Sequence, residues 1–218
     1  MLELNSFKGK HKGEDVYVIG SGPSCDYIDP SFITNKITIG TNQTYRRYQT
    51  NYILRKEHKL LQDTLNNFNG PVFVSKGNCG TLHSVINLDK YKHNDRICVY
   101  NHLNNALKIN LKAFDMPDHL CVSHSTITTS IHLAYYMGAK NIILIGVDHG
   151  CLDGKQTFKD YYKDIKETAW NDWQQYKGWL KNLDNDTIKI KTKLSSLGVN
   201  VYSINPFINF KLEGHKYE

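Results

Sequence analysis

Four short segments carry residue types suited to binding and activating a small polar ligand. Gly20-Ser21-Gly22-Pro23-Ser24 follows the apolar run Val16–Ile19. Its small residues could present backbone amides, with the Ser21 and Ser24 hydroxyls, to phosphate or ribose oxygens. Asn42 follows a second apolar run, and Ser125-Thr126 opens an apolar-periodic segment. If that segment is a helix, its free N–H groups and dipole would attract an anion, although Ser125 equally suits an N-cap bonded to its own helix. Asp148-His149 leaves the most apolar run of the chain, Ile142–Ile145 followed by Gly146. A charged pair there has no core purpose; it could orient a sugar hydroxyl, hold a metal-bound phosphate or serve as acid and base, or simply form a surface turn before Gly150.

Such residues act together only if the chain brings their segments to one edge. Buried parallel strands read as continuous apolar runs, and open α/β sheets bind ligands beyond the carboxyl ends of those strands. The runs at 16–19, 37–40, 52–54, 72–74, 97–100, 120–122, 142–145 and 199–204 predict strands. Apolar spacing predicts helices over 57–67, from 126 to Gly138, and over 187–197. The expected fold is therefore α/β, a Rossmann-like and mostly parallel sheet flanked by helices. Without internal repeats or linker-like stretches, residues 1–218 read as one nucleotide-binding domain. The stretch 76–119, rich in Gly, Asn and His, reads as a loop-rich insertion or lid, and His83, His93 and His102 in it lack metal-ligand spacing. The aromatic residues of 157–183 (Phe158, Tyr161, Tyr162, Trp170, Trp173, Tyr176, Trp179) read as a core stripe on helices.

Composition narrows the function further. With 27 Lys and Arg against 21 acids, the formal charge of +6 suits anionic ligands. The basic residues are scattered rather than gathered into a nucleic-acid-binding stripe; Arg46-Arg47 beside Tyr45 and Tyr48 suggests either base stacking or a solvated helix face. Five cysteines (Cys25, Cys79, Cys98, Cys121, Cys151) without a CxxC suit reduced thiols. No apolar stretch reaches the roughly 18 residues of a membrane span, and the start lacks secretory-signal features, so a cytoplasmic protein is expected. The glycine-rich turn fails the dinucleotide fingerprint: Cys25 stands at the third small-residue position and Asn42 where the ribose-binding acid belongs, which disfavours nicotinamide chemistry.

The ordered motifs Ile19-Gly-Ser-Gly-Pro-Ser24, Gly40-Thr-Asn-Gln43, Ser125-Thr126 and Gly138-Ala-Lys-Asn-Ile-Ile-Leu-Ile-Gly-Val-Asp148 resemble a superfamily. It joins MptE-like 6-hydroxymethylpterin diphosphokinases, flagellin-modifying motility accessory factors and the sialyltransferases of glycosyltransferase family 42. In the sialyltransferase branch the resemblance implies that Gly20–Ser24, Asn42, Ser125 and Thr126 hold the nucleotide of a CMP-sugar, bordered by Gly146. Asp148 and His149 would then serve the acceptor, and Tyr161 or Tyr162 the leaving phosphate. That branch places a histidine base before the last helix and strand, yet this chain has none between His149 and His215. In the diphosphokinase branch the same edge would hold ATP and magnesium near Asp148. The acid usual at the end of the third strand is at best displaced here to Glu57, and Arg55-Lys56 instead suits an anionic group. The expected function is a transferase using a nucleotide-activated donor in surface-glycan biosynthesis, without a required cofactor. The alternatives are a magnesium-dependent pterin diphosphokinase and a non-catalytic nucleotide-binding protein. Expected partners are a nucleotide or nucleotide-sugar and a small-molecule or glycan acceptor; a homo-oligomer is left open.

Overall fold

A computed structural model describes residues 1–56, 58, 60–77, 88–103, 109–163 and 173–204, with only the backbone of 173–177. The apolar runs form seven strands: β1 (Asp15–Ile19), β2 (Ile37–Thr41), β3 (Tyr52–Arg55), β4 (Val72–Ser75), β5 (Ile97–Tyr100), β6 (Asn141–Ile145) and β7 (Asn200–Ser203). Every pairing is parallel, and the sheet order is β5-β4-β3-β2-β1-β6-β7. Three α-helices, α1 (Leu61–Asn67), α2 (Thr126–Tyr136) and α3 (Trp173–Ser196), and several short 3₁₀ turns complete the described chain.

Alternation along the strands divides the core between two faces. Val16, Val18, Ile39, Leu54, Phe73, Ile142, Leu144 and Val201 pack with α2 residues Ile131 and Leu133 and α3 residues Ile190 and Leu194. On the opposite face, Ile53, Val72 and Val74 meet Leu61 and Leu65 of α1, while Ile19 and Ile145 meet Ile33, Tyr48 and Phe158. Each fully buried aliphatic side chain contributes about 1.5–3 kcal/mol, so both faces are covered as a doubly wound sheet requires. Gly138 closes α2 at φ +92, and a Cβ there would lie 2.9 Å from the Lys12 backbone, so glycine is needed on both counts.

The elements differ from expectation in several places. Leu120–Val122 is buried but lies outside the sheet: the Cys121 N–H donates to His132 Nδ1 at 2.9 Å, so α2 takes the bond a strand ladder would have used. Within the stretch 76–119 the strand expected at 97–100 forms as the edge strand β5, while 78–87 and 104–108 lie outside the described residues. The helix expected from residue 57 starts at Leu61, and that over 187–197 is the second half of the 24-residue α3. Phe158 and Tyr161 are core residues, but they sit in turns rather than on a helix. Trp170, Cys79, His83 and the side chains of Trp173 and Tyr176 fall outside the description. Cys25, Cys98, Cys121 and Cys151 are buried thiols, and no described helix is long and apolar enough to cross a membrane.

Candidate functional site

The strand order turns back at β1, which lies between β2 and β6, so the carboxyl ends of β1 and β6 flank a topological switch point. Two loops meet there at close quarters. Gly20 N donates to Ile145 O at 2.7 Å and Gly22 N to Gly146 O at 2.8 Å. A Cβ on Gly20 would lie 2.4 Å from Gly146 O, and one on Gly22 only 2.2 Å from Asp148 Oδ2. Gly146 itself has φ +61, with Cys25 Sγ 2.2 Å from its Cβ position. The glycines are thus required by the mutual approach of the two strand ends.

Three amides of the expected phosphate cradle have partners within the fold. The amides of Gly20, Gly22 and Ser24 are all turned toward β6 and its loop, and Pro23 is buried at the start of a 3₁₀ turn. Ser24 donates its N–H to Asp148 Oδ2 at 2.7 Å and its hydroxyl to Oδ1 at 2.5 Å. Asp148 is 1% exposed, so it positions the turn and does not face an acceptor. With both oxygens engaged by Ser24, it is also a poor fit to the magnesium ion of the diphosphokinase reading. No group of three or more metal-ligating side chains occurs among the described residues. Burial raises the Asp148 pKa above the usual carboxylate value, against the lowering effects of the Ser24 bonds and of His149.

Ser21 is the half-exposed residue of the turn, and it meets Asn42 through Tyr161. The Tyr161 hydroxyl lies against the side chains of Asn42 and Ser21 and the backbone of Gln43. Burial pushes the pKa of this phenol up, while those contacts and the charge of Arg55 act to lower it. Tyr162 is half-buried and packs edge-on against Tyr161 at 4.7 Å. Asn42 holds φ +51, a left-handed conformation that asparagine tolerates well, with its N–H on Leu54 O at 3.0 Å.

The start of α2 reaches the same edge: Ile127 Cδ1 lies 3.1 Å from the Cβ position of Gly20. Ser125 is a bonded N-cap, its hydroxyl accepting from Ile127 N at 3.1 Å, and Thr126 follows half-buried. From β3, Lys56 Nζ donates to Ser123 O at 2.6 Å, and buried Arg55 donates to Thr64 Oγ1 at 2.9 Å. Arg47, half-buried, donates to the carbonyls of Cys25, Asp26 and Ile28. It is therefore an architectural clamp under the glycine-rich turn, neither a stacking platform nor part of a solvated helix face.

Two contacts from α3 have no precursor in local sequence pattern. His149, at φ +49, holds Asp184 Oδ1 through Nδ1 at 2.8 Å. His124, from the loop before α2, holds Asp186 Oδ2 through Nδ1 at 2.8 Å and meets Trp179 edge-on at 4.8 Å. The His149 side chain is 8% exposed, and its Nε2 is buried without a hydrogen-bond partner among the described residues. An imidazole oriented by a carboxylate through one nitrogen, with the other uncommitted, has the geometry of a general base.

No protein-family model and no curated protein sequence matches the chain. The fold, however, is found in solved sialyltransferases. The Campylobacter jejuni sialyltransferase CstII, in complex with cytidine-5'-monophosphate, aligns at TM-score 0.53 and 18% identity over 89% of this chain and 81% of that one. A CstII complex with a trisaccharide acceptor and CMP aligns at TM-score 0.52 and 16% identity, covering 88% and 82%. The monofunctional alpha-2,3-sialyltransferase Cst-I of the same organism aligns at TM-score 0.53 and 12% identity, covering 88% and 76%. At these identities the likeness is one of fold: a Rossmann-like α/β architecture shared with sialyltransferases.

Proposed function

We propose that this protein is a glycosyltransferase that takes a nucleotide-activated sugar, a CMP-sugar in the first instance, and transfers it to an acceptor hydroxyl in surface-glycan biosynthesis. The observation that carries the reading is the His149–Asp184 pair at the carboxyl end of β6, beside the switch point. Asp184 accepts the Nδ1 proton, and Nε2 is left as the acceptor atom. In the transfer step Nε2 takes the proton of the acceptor hydroxyl as its oxygen bonds to the anomeric carbon. The bond from that carbon to the donor phosphate breaks, and the electron pair leaves with the nucleotide. Ser21, Asn42, Ser125 and Thr126 line the donor side, and Tyr161 or Tyr162 meets the charge that develops on the leaving phosphate. The sialyltransferase fold supports this reading, and so does the resemblance of the ordered motifs to those of the MptE-like and sialyltransferase superfamily.

Thermal unfolding against CMP, CDP, UDP, GDP, AMP and ATP, each with and without magnesium, tests it, because a ligand bound to the native state alone raises Tm. CMP or CDP should raise Tm without metal, and Asn42→Asp should abolish the shift while leaving the unliganded Tm within a few degrees. His149→Gln should retain the shift and lose the transfer of sugar from a CMP-sugar by about 100-fold or more, the usual range for a general base. A magnesium-dependent shift with ATP and release of AMP would instead establish the diphosphokinase.

A further inference from the structure

Beyond β3, β4 and β5, the same edge carries a basic cluster that the transfer step does not use. Asn101 N donates to Asp118 O and Leu120 N to Asn101 O, each at 2.9 Å, which lays His119 alongside the chain that leaves β5. His102, from that chain, holds Ser75 Oγ at the end of β4 through Nδ1 at 3.1 Å. His58 Nε2 meets the Ser75 carbonyl at 2.7 Å. His102 is 6% exposed, yet its Nε2 and the Nδ1 of His119 are both buried without a hydrogen-bond partner among the described residues. A buried polar atom without a partner is unfavourable, and a ligand that hydrogen-bonds to both imidazoles would relieve each of them.

The surrounding charges select the sign of that ligand. The charged and titratable groups that act on His102 are His119 and Lys56; Ser75 from β4 holds its other nitrogen, and Tyr100 of β5, its hydroxyl on Arg55 O, is neutral. Burial first, then the charges of His119 and Lys56, depress the His102 pKa. A divalent cation would meet the Lys56 ammonium and only two imidazoles, and no larger metal-ligating group occurs among the described residues. An oxyanion would accept from both imidazoles and offset the ammonium charge.

We infer that His102 and His119, with Lys56 beside them, form a binding site for an oxyanion, a carboxylate or phosphate, carried by the acceptor. The word acceptor rests on the proposed transfer reaction; the anion site does not. From β4 to β6 the order β4-β3-β2-β1-β6 spans four strand intervals. At about 4.8 Å each, these set the site on the order of 20 Å from His149. That distance exceeds a monosaccharide, so the acceptor is an acidic oligosaccharide or polymer lying along the strand ends, with its charge remote from the reacting hydroxyl.

The test is an NMR titration of the histidine side chains in the intact protein with glucuronate, glucose 6-phosphate and glucose, with and without saturating CMP. Resonances of His102 and His119 should shift with one or both anions and not with glucose, and the preferred anion distinguishes carboxylate from phosphate. Binding should persist in CMP and strengthen as pH falls, because the anion favours protonated His102. His102→Gln and His119→Asn should each weaken binding about tenfold at pH 6, the difference between a charged and a neutral hydrogen bond. If glucose binds as tightly as the anions, if CMP displaces them, or if both variants bind like the parent, the site is refuted. A CMP response without an anion response removes only the anion site; an anion response without a CMP response removes only the donor reading.

Discussion

Replacing Asp148 by asparagine and by alanine separates the shape of this side chain from its charge. In the native turn both carboxylate oxygens accept from Ser24, at 2.7 Å from its N–H and 2.5 Å from its hydroxyl, at 1% exposure. Alanine leaves the Ser24 N–H buried without its acceptor, a loss of about 1–3 kcal/mol, and removes packed atoms as well, for a total of about 2–4 kcal/mol. Asparagine is a near-isostere: its Oδ1 can accept from Ser24 N–H while its amide donates to the Ser24 hydroxyl. It also removes a charge whose burial outweighs those bonds, since the Asp148 pKa is raised. Asp148→Asn should therefore be as stable as the parent at pH 7 or up to about 1 kcal/mol more stable. The linkage has a definite sign. With the folded pKa above the unfolded value, the native state holds a proton the unfolded chain has released, so the Asp148 contribution grows as pH falls through the folded pKa and levels off below the unfolded one. Urea denaturation of the three proteins between pH 4 and 7 measures this: relative to Asp148→Asn, the parent should gain stability on acidification. A loss above about 2 kcal/mol for asparagine at pH 7, narrowing at acid pH, would refute the claim that burial dominates.

Gly22→Ala places a Cβ 2.2 Å from Asp148 Oδ2 and 2.7 Å from Gly146 O; overpacking of this kind costs about 1–3 kcal/mol or more, read as a lower urea midpoint and loss of any nucleotide-induced Tm shift. His132 accepts from Cys121 N–H through Nδ1, and burial pushes its pKa down to about 3. The unfolded chain therefore binds a proton below pH 6.5 that the native state refuses, and stability should fall by about 1.4 kcal/mol per pH unit from pH 6 toward 3. His132→Gln should abolish that component of the acid slope, and an unchanged slope would exclude His132 as its source. Gly178 lies inside α3 with nothing within 4 Å of its Cβ position, so Gly178→Ala should stabilise by about 0.5–1 kcal/mol, visible as a raised Tm.

The strands were legible because each is an apolar run ended by small or polar residues, and the start and end of α2 because Ser125 and Gly138 are local signals. Leu120–Val122 carries the same apolar signal yet stays out of the sheet, since the acceptor for Cys121 N–H is a histidine 11 residues away on α2. The glycine-rich turn is legible as a strand end, but the partners of its amides are not. Its amides look available in sequence, and only the pairing of β1 with β6 shows where they go. Asp184 and Asp186 were invisible as partners because they lie 35 and 62 residues beyond the histidines they hold, on a helix whose local pattern records only its own apolar stripe. His102 lacks metal-ligand spacing and His119 carries no local signal; what marks them in the structure is a buried nitrogen on each without a hydrogen-bond partner among the described residues.

The central pairing also bears on when the site comes into being. Asp15 of β1 lies beside Asn141 of β6, 126 residues later in the chain. During synthesis, β2 reaches β1 early, but the opposite edge of β1 stays open until the ribosome has passed residue 145. At about 5–20 residues per second that interval lasts roughly 6–25 s. Throughout it the nascent chain exposes an unpaired apolar strand edge, the form most prone to pairing with a neighbour. The crevice beside Gly22 and Gly146 closes only when β6 docks, so pairing of that open edge and assembly of the candidate active site are one event.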